Sequence, residues 1–312
     1  MIAKPFSSYD ITLGLTALKN RIPPTHERYS IIIEELSRYE AGEQGEQYIL
    51  QLLSENELPK NTYVLHNVQF KSKVDVQIDV LIISPSWCLL LEVKNIKGTL
   101  YFQDNPLQLI RIDNGIEQNL GSPEVQLTNY IFGLKALLES KKINLPIYGA
   151  IVSPFNNAII KKTPKYFPIK TGKEIIPYIW NIQPKIEGIV NPTTLVKLIT
   201  TKHTKEDNRF PLCNYFNINK ESLIQGVACP SCGTYSMIKT LRTWYCPNCK
   251  KSSMHAHEQA LKDYSMLINK TITTQEAVSF LQLRNRHEAK RILKANSLER
   301  VGATKSSRYI LK

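Results

Sequence analysis

The sequence predicts an α/β or α+β fold, in which a body of strands and helices is followed by a small cysteine-containing module and a helical C-terminal segment. Three observations predict it. Strand-like apolar runs alternate with amphipathic helical patterns between residues 41 and 159, two Cys-x-x-Cys pairs follow, and a helix–turn–helix–strand pattern fills 253–312. The 312 residues suffice for two or three domains of about 100–150 residues each.

The body of the fold begins with two helical patterns. IIIEELSRY lies in an irregular lead, and AGEQGEQYILQLLSENELP ends at Pro59. Four strand-like runs come next: TYVLHNVQF, VQIDVLIIS, WCLLLEVKN and TLYFQ. QLIRIDNGIEQN contains an Asn-Gly pair and predicts a hairpin. A helix, PEVQLTNYIFGLKALLES, and a buried strand, IYGAIVS, complete this body.

Composition changes along the chain divide it into five predicted parts. Residues 160–225 are rich in Pro and Lys and have little periodicity, so they are interpreted as an extension and connector. The predicted parts are an N-terminal helical lead at 1–40, the α/β domain at 41–159, the connector at 160–225, the cysteine module at 226–252 and the helical module at 253–312.

Positive charge is concentrated at the C-terminal end of the chain. The formal net charge is +13, and residues 226–312 carry 15 lysines and arginines against 5 acidic residues, whereas the first 225 carry 25 against 22. A basic tail on a nearly neutral body indicates a polyanionic partner for the tail, and nucleic acid is favoured over an anionic membrane surface. No signal-peptide pattern or bilayer-length apolar run is evident, so a cytoplasmic location is expected.

Charged residues interrupt two of the apolar strands. Asp79 lies within VQIDVLIIS, and Glu92 and Lys94 lie within LLLEVKN. Side chains two residues apart point to the same face of a strand, so Glu92 and Lys94 share a face. If the two strands are neighbours, all three charges can meet in one patch.

Further polar residues can join this patch from other elements. Glu46 is aligned with the apolar stripe of its helix, Gln77 shares a strand face with Asp79, and Gln126 lies one turn before Tyr130 on the later helix. Glu46, Asp79 and Glu92 offer the hard oxygen ligands that Mg²⁺ or Mn²⁺ prefers, and Lys94 can position the attacking water of a phosphodiester hydrolysis. The competing interpretation is a structural salt bridge between Glu92 and Lys94, or an acid at an exposed strand edge.

These residues resemble a known family. Asp79 followed by Glu92-Val93-Lys94 is similar to the PD-(D/E)xK nuclease motif, with Ile78 in place of its proline. AGEQGE, QIDVLIIS, LLLEVKN with the following GTLY, and Gln126 resemble NERD, the nuclease-related domain, over 41–153. The resemblance implies a restriction-endonuclease-like mixed sheet, a magnesium ion, and a site at Glu46, Asp79, Glu92 and Lys94, with Gln77 and Gln126 as orienting residues. Gln126 to Tyr130 is also similar to the short Q-x-x-x-Y motif of RecB-type nucleases.

The paired cysteines predict a structural metal site. Cys229, Cys232, Cys246 and Cys249 supply four thiolates at zinc-ligand spacing, which leaves no open coordination position. They resemble a zinc ribbon, and a redox pair or an iron–sulfur centre is the lesser alternative. Cys88 and Cys213 are assigned to the core.

The C-terminal module resembles a winged helix-turn-helix. Thr274 is the predicted N-cap of its first helix, and 287–295 form the second, which would enter the major groove of DNA. The alternative is a solvated basic helix or a helix pair for protein contact. The candidate DNA-contact residues are Arg286, Lys290, Arg291 and Lys294 on the second helix and Lys305 and Arg308 on the wing.

Together these features predict a magnesium-dependent DNA nuclease, docked on duplex DNA by a zinc ribbon and a winged helix. DNA defence, repair or recombination would suit such an enzyme. A DNA-binding regulator or adaptor with an inactive nuclease-like fold is the main alternative, and an RNA-directed module is a third.

Overall fold

The protein is described by a computed structural model that covers residues 1–183, 190–203, 207–302 and 307–311. The chain divides into two compact units. The first contains Met1–Ser8 and Tyr39–Glu206, and the second contains Tyr9–Arg38 and Asp207–Lys312. The N-terminal part of the chain therefore contributes to both units.

The described residues form the following elements. The helices are α1 Asp10–Arg21, α2 Tyr29–Glu55, α3 Pro123–Glu139, α4 Ile175–Trp180, α5 Pro192–Lys202, α6 Leu212–Tyr215, α7 Ala256–Leu267, α8 Thr274–Leu281 and α9 Arg286–Asn296. The strands are β1 Ile2–Lys4, β2 Tyr63–Lys71, β3 Asp75–Ile83, β4 Cys88–Val93, β5 Gly98–Asp104, β6 Leu107–Asp113, β7 Ile116–Asn119, β8 Ile147–Ser153, β9 Ala158–Lys162, β10 Ile169–Thr171, β11 Ile238–Lys239, β12 Trp244–Tyr245, β13 Ser252–Ser253, β14 Thr271–Thr273, β15 Ser297–Val301 and β16 Arg308–Leu311.

The first unit is built on a six-stranded mixed sheet in the order β1-β2-β3-β4-β8-β10. β2, β3 and β4 are antiparallel neighbours, whereas β8 runs parallel to β4 and β10 runs parallel to β8. A parallel neighbour needs a crossover connection. The chain between β4 and β8 contains α3, which packs on the sheet and supplies the helical part of this crossover. The mixed α/β class expected from the sequence is confirmed.

Both faces of the central strands are buried, which explains their unbroken apolar runs. Along β4, Cys88 and Leu90 join the core on the α3 side, and Leu89 and Leu91 join the core on the α2 side. A strand that is covered on both faces has no solvated side on which polar residues would be placed. Charges inside such a strand therefore require a special environment.

A second, four-stranded sheet in the order β7-β6-β5-β9 belongs to the same unit. The predicted hairpin forms between β6 and β7, and its turn residues Asn114 and Gly115 have φ angles of 50° and 77°. Asn-Gly tolerates this left-handed geometry better than other pairs. β9 pairs with β5 in parallel and β10 pairs with β8 in the main sheet, so the first part of the predicted extension and connector adds strands to the α/β unit.

The second unit joins the predicted cysteine and helical modules to α1. The cysteine module contains the small sheet β11-β12-β13, and the helical module contains α8, α9 and the sheet β14-β16-β15. α1 packs against α7, and the buried Arg21 forms an ion pair with Asp263 at 2.8 Å. The predicted boundaries 226–252 and 253–312 both fall inside this unit, and the five-part division stays a prediction.

Two details of the N-terminal and C-terminal predictions differ from the structure. The two helical patterns before Pro59 form one continuous helix, α2. The lead before them, which was expected to be irregular, contains β1 and α1. The N-cap of α8 is Thr273 rather than Thr274, because Thr273 and Glu276 form a reciprocal capping box.

Among the described residues, no helix combines the length and apolar character that crossing a bilayer requires.

Candidate functional site

The predicted acidic residues lie where β3 and β4 separate. The last paired residues of this ladder are Val80 and Leu91. Beyond that pair, the Asp79 Oδ2 atom accepts a hydrogen bond from the backbone N–H of Val93 at 2.8 Å. A side chain of β3 thus serves as hydrogen-bond partner for the backbone of β4, and this contact brings the Asp79 carboxyl group to the strand that carries Glu92 and Lys94.

The geometry of β3 changes at this point. Ile78 and Leu81 both belong to the core on the α3 side although they are three residues apart, so the regular alternation of side chains shifts near Asp79. On the neighbouring strand, Asn67 has a left-handed φ angle of 45°. A shift of this kind changes the direction in which a side chain points from a sheet. It explains how the Asp79 carboxylate can point toward the end of β4.

Glu92 and Lys94 form a close pair at the end of β4. The Lys94 Nζ atom lies 2.7 Å from the Glu92 Oε1 atom. Glu92 is buried, with 4% of its surface exposed, and Lys94 is half-buried. The predicted sharing of one strand face by these two side chains agrees with this contact.

Glu46 reaches the same region from α2. Gly45 allows this close approach, because a Cβ atom at its position would lie 2.9 Å from Asn95 Cβ and 3.0 Å from Pro154 Cγ. Asn95 directly follows Lys94 and donates its side-chain N–H to the carbonyl oxygen of Ala41 at 2.8 Å. The middle of α2 is therefore fastened to the chain just after β4.

His66 is a residue of the site that the sequence analysis missed. Its Nε2 atom lies 2.7 Å from the Glu46 Oε2 atom, and both side chains are buried. Its Nδ1 atom accepts a hydrogen bond from the backbone N–H of Ser7 at 3.4 Å, so the Nε2–H group is the donor to Glu46. His66 lies in TYVLHNVQF directly after the apolar run Val64-Leu65, and a titratable side chain at that place was the available signal.

The electrostatics of the cluster connect all four predicted residues. Burial raises the pKa of Asp79 well above its usual value, and the carboxylates of Glu92 and Glu46 raise the pKa further. Burial also raises the pKa of Glu92, against the lowering effect of Lys94. Burial alone would lower the pKa of Lys94, but Glu92 and Asp79 outweigh it and hold the pKa above its usual value. Lys94 is therefore an ammonium group at neutral pH.

The two predicted glutamines and Tyr130 lie in different environments. Burial raises the pKa of Tyr130, and Glu92 and Asp79 add to the shift, so the Tyr130 hydroxyl lies near the carboxylates. Gln126 is half-buried one turn earlier on α3. Gln77 is exposed near the start of β3. The orienting roles of both glutamines stay predictions.

The donor set of this cluster suits a hard cation. Three carboxyl groups meet one ammonium group, and like charges at close range raise each other's pKa when nothing neutralises them. Oxygen ligands of this kind are those that Mg²⁺ and Mn²⁺ bind in proteins. Glu46, Asp79 and Glu92 are the carboxyl groups that would take part in such a site, but among the described residues only the four cysteines already bring three or more ligand atoms close together. Binding of an ion would displace the protons that the raised pKa values retain.

The four predicted cysteine ligands come together in the second unit. Their sulfur atoms all lie within 4.8 Å of one another, with Cys229–Cys249 at 3.5 Å and Cys232–Cys246 at 3.7 Å. Zn–S bonds of about 2.3 Å in a tetrahedron place the sulfurs about 3.8 Å apart, so this cluster could bind zinc. A backbone N–H donated by Cys249 is the first reason that the pKa of Cys246 falls to about 5. Cys88 and Cys213 are buried elsewhere, as expected.

The candidate DNA-contact residues are only partly available for phosphate contacts. Lys290, Arg291 and Lys294 are exposed on α9. Arg286 is exposed and donates to Gln275 Oε1 at 2.8 Å. Arg308 instead donates to Thr271 Oγ1 at 2.8 Å and pairs with Glu276 at 3.2 Å, which explains it as a brace of the β14–β16 ladder. Lys305 lies outside the described residues.

Comparison with known protein families gives a match within the first unit. Residues 41–154 match the family model of NERD, the nuclease-related domain. No curated protein and no solved structure matches the chain. The matched segment contains every residue of the carboxylate cluster and its neighbour His66. The resemblance to the NERD family is therefore confirmed over residues 41–154, about a third of the chain.

Proposed function

We propose that the protein is a magnesium-dependent nuclease that hydrolyses phosphodiester bonds of DNA at the cluster of Glu46, Asp79, Glu92 and Lys94. The observation that carries this proposal is the convergence of three carboxyl groups on one ammonium group, at the end of strands buried on both faces. Such a cluster is unfavourable for folding by itself and becomes favourable when a cation is bound.

The main competing explanation is a structural ion pair between Glu92 and Lys94. That explanation accounts for two charges but leaves Asp79 and Glu46 in the same buried region, where each raises the electrostatic cost of the others. Stabilising ion pairs match opposite charges one to one. An excess of carboxylates over ammonium groups is instead typical of a cation site.

The residues suit the steps of phosphodiester hydrolysis. A bound Mg²⁺ would lower the pKa of the attacking water and neutralise charge on the phosphate oxygens. Glu46, Asp79 and Glu92 would hold the ion. Lys94, an ammonium group with a raised pKa, would orient the water and stabilise the negative charge on the phosphoryl oxygens, rather than act as a base. The attacking water would release a proton to solvent as its oxygen bonds to phosphorus, the bond to the leaving oxygen would break, and that oxygen would take up a proton from solvent.

The second unit would hold the enzyme on its substrate. Zinc on the four cysteines would be structural, since four sulfur ligands leave no position for a reacting group. Exposed lysines and arginines on α9 would contact DNA phosphates, as in a winged helix-turn-helix. Duplex DNA is the expected partner of this second unit.

A DNA-binding regulator with an inactive nuclease-like domain is the second candidate. The short contact between Lys94 and Glu92 favours it, because an engaged lysine is already neutralised. In this function the cluster would stabilise the fold, and the basic second unit would carry the activity of the protein.

Cleavage of supercoiled plasmid, linear duplex and RNA by the full chain, with Mg²⁺ or with EDTA, tests the proposal. Asp79→Asn removes a carboxylate ligand and is expected to lower cleavage at least about 100-fold, while Asp75→Asn, an exposed position on the same strand, leaves it unchanged. Equal cleavage by wild type and Asp79→Asn would indicate a contaminant. Tight duplex binding without cleavage would favour the regulator.

A further inference from the structure

We propose that residues 158–173 form a binding track for single-stranded DNA on the first unit, with Tyr166 as a base-stacking platform. This lysine segment contains β9, the loop 163–168, β10 and the two residues after it. The inference rests on the proposed function, because it identifies a path for the strand that the carboxylate cluster would cut.

The charge of the lysine segment is the first observation. It contains five lysines and no acidic residue: Lys161, Lys162, Lys165, Lys170 and Lys173. Four of the five are exposed, and Lys162 also pairs with Asp104 at 3.1 Å. The first 225 residues of the chain carry nearly balanced charge, so five lysines without an acidic residue among them are a local feature of the first unit. Lysines in such an array suit a phosphate backbone.

Tyr166 supplies the second observation. It is 60% exposed, and the Lys165 ammonium lies 5.2 Å from its ring centroid. A large aromatic ring held open to solvent beside a cation is typical of surfaces on which unpaired bases stack. Duplex DNA has no free base face to offer such a ring, and the single-stranded form is therefore favoured.

The backbone at Tyr166 is fixed by a buried carboxylate. Glu124, only 1% exposed, accepts a hydrogen bond from the Tyr166 backbone N–H at 2.6 Å. Phe167, the next residue, packs closely against Gly149 on β8. Burying a carboxylate is costly unless it is well bonded. Here it holds the backbone of an exposed aromatic residue in one place, which suits a preorganised contact.

The position of the platform relative to the carboxylates follows from α3. Glu124 lies in the first turn of this helix, and Tyr130, six residues later, lies near Asp79 and Glu92. A rise of about 1.5 Å per residue separates these two helix positions by about 9 Å along the axis. The start of β9 is also joined to the segment that follows β4, because Ala158 pairs with Gly98, which lies four residues after Lys94. Tyr166 is thus held at the first turn of the helix whose next turns carry Tyr130 beside the carboxylates.

The test measures binding of the full chain to a fluorescent single-stranded oligonucleotide by anisotropy, without added Mg²⁺ or Mn²⁺, so that no cleavage occurs and zinc on the four cysteines is retained. The triple variant Lys161→Gln, Lys165→Gln, Lys173→Gln is expected to weaken binding about 10-fold or more and to reduce the salt slope by about 2. Tyr166→Ala is expected to weaken it about 5-fold or more, with Tyr166→Phe near wild type.

Matched controls lie on the same unit. One control is the triple variant Lys60→Gln, Lys135→Gln, Lys141→Gln, which removes three exposed lysines outside the segment. The other is Phe132→Ala, which removes a ring that is 48% exposed and whose centroid lies 5.7 Å from the Lys73 Nζ atom. Both controls are expected to bind as wild type does. Crosslinking with an iododeoxyuridine-substituted strand is expected to label the peptide that contains Tyr166.

Equal effects of the segment and control variants, or crosslinks confined to other peptides, would overturn the track. Equal losses for a duplex of the same sequence would overturn its single-stranded character. None of these outcomes depends on catalysis. Failure of the nuclease proposal would instead appear as intact, Tyr166-dependent binding together with no metal-dependent cleavage.

Discussion

At Asp79 the folded protein exerts opposing effects on a single carboxyl group. Burial and the carboxylates of Glu92 and Glu46 favour its protonated form, whereas Lys94 and the Val93 N–H favour its charged form. The net direction is a raised pKa, and Glu92 behaves in the same way. Without a cation, the folded state therefore binds protons that the unfolded chain has released.

This proton balance makes the stability of the metal-free protein depend on pH. When folding raises the pKa of an acid, the free energy of unfolding falls as pH rises above the pKa of that acid in the unfolded chain, which is about 4. Each such group lowers it by up to about 1.4 kcal/mol per pH unit. Asp79→Asn removes one such group and keeps an oxygen acceptor for Val93.

We therefore expect Asp79→Asn to be more stable than wild type in EDTA at about pH 8, with the difference shrinking toward about pH 5. Urea unfolding at both pH values measures it. Asp75→Asn, which changes an exposed acid, should show no such trend. A constant difference between Asp79→Asn and wild type across this range would contradict the raised pKa.

His66 is expected to position Glu46 for the ion. His66→Met removes the N–H donor while keeping a similar apolar volume, and His66→Gln keeps a donor near the same place. Partners of this kind behind a metal ligand typically contribute 10- to 100-fold in affinity, so we expect about that loss of Mn²⁺ affinity for His66→Met by calorimetry.

The glutamine variant separates positioning from packing. His66→Gln should bind Mn²⁺ within about 3-fold of wild type, since the hydrogen bond to Glu46 is retained. If both variants lose affinity equally, while their thermal unfolding matches wild type, the hydrogen bond is not what positions Glu46.

Among the elements, the central strands were the most predictable from sequence and the N-terminal helices the least. β3 and β4 follow from two apolar runs around Ser-Pro-Ser, because complete burial leaves a continuous signal. α1 was missed, since its apolar residues pack against α7, more than 200 residues away in sequence. The clustering of Glu46 with Asp79 and Glu92 was predicted from helical and strand periodicity. The hydrogen bond between Glu46 and His66 was not predicted, because the sequence around either residue does not identify the other as its partner.

The two glycines of AGEQGE, Gly42 and Gly45, lie on α2 and test how closely this helix approaches the end of β4. Gly45→Ala would drive a methyl group against Asn95 and Pro154, whereas Gly42 has open space around its Cβ position. We expect Gly45→Ala to lower the free energy of unfolding by about 1–3 kcal/mol, and Gly42→Ala to raise it by about 0.5–1 kcal/mol through helix propensity. Chemical denaturation distinguishes them. Equal effects would show that α2 does not approach β4 as described.

The cysteine cluster gives a second prediction at this scale. Cys246→Ser should reduce bound zinc, measured by plasma mass spectrometry, from about one ion per chain to near none, because a tetrahedral S₄ site needs every ligand. Cys213→Ser, at a buried position outside the cluster, should keep the full amount. Equal zinc content in the two variants would remove the ribbon interpretation.

At the scale of the whole molecule, the division of the chain could not be read from composition. Sequence boundaries at 40, 226 and 253 follow shifts in charge and motif, but the second unit also takes in Tyr9–Arg38. Arg21 shows why. It is fully buried, pairs with Asp263 and donates to the carbonyl oxygens of Ile224 and Gly226. Long-range pairing of this kind leaves no local pattern in the sequence.

This pairing makes the second unit depend on both ends of the chain. Asp263→Ala would leave the Arg21 guanidinium buried without its carboxylate, and removing one partner of a buried pair typically costs about 3–5 kcal/mol. We expect a loss near the lower value, since two carbonyl acceptors remain. Thermal unfolding of wild type and variant by scanning calorimetry measures the loss, with tryptophan fluorescence, which includes Trp244 in the core of this unit, as a second signal. An unchanged transition would show that Arg21 does not tie α1 to α7.

The most direct measurement for the whole molecule is the anomalous diffraction of crystals soaked in Mn²⁺. If the carboxylates form a cation site, a peak should lie within bonding distance of Asp79 and Glu92, next to Glu46, and should vanish in Asp79→Asn crystals. A wild-type crystal saturated with Mn²⁺ that has no peak there, with Lys94 still paired to Glu92, would contradict the metal-dependent nuclease.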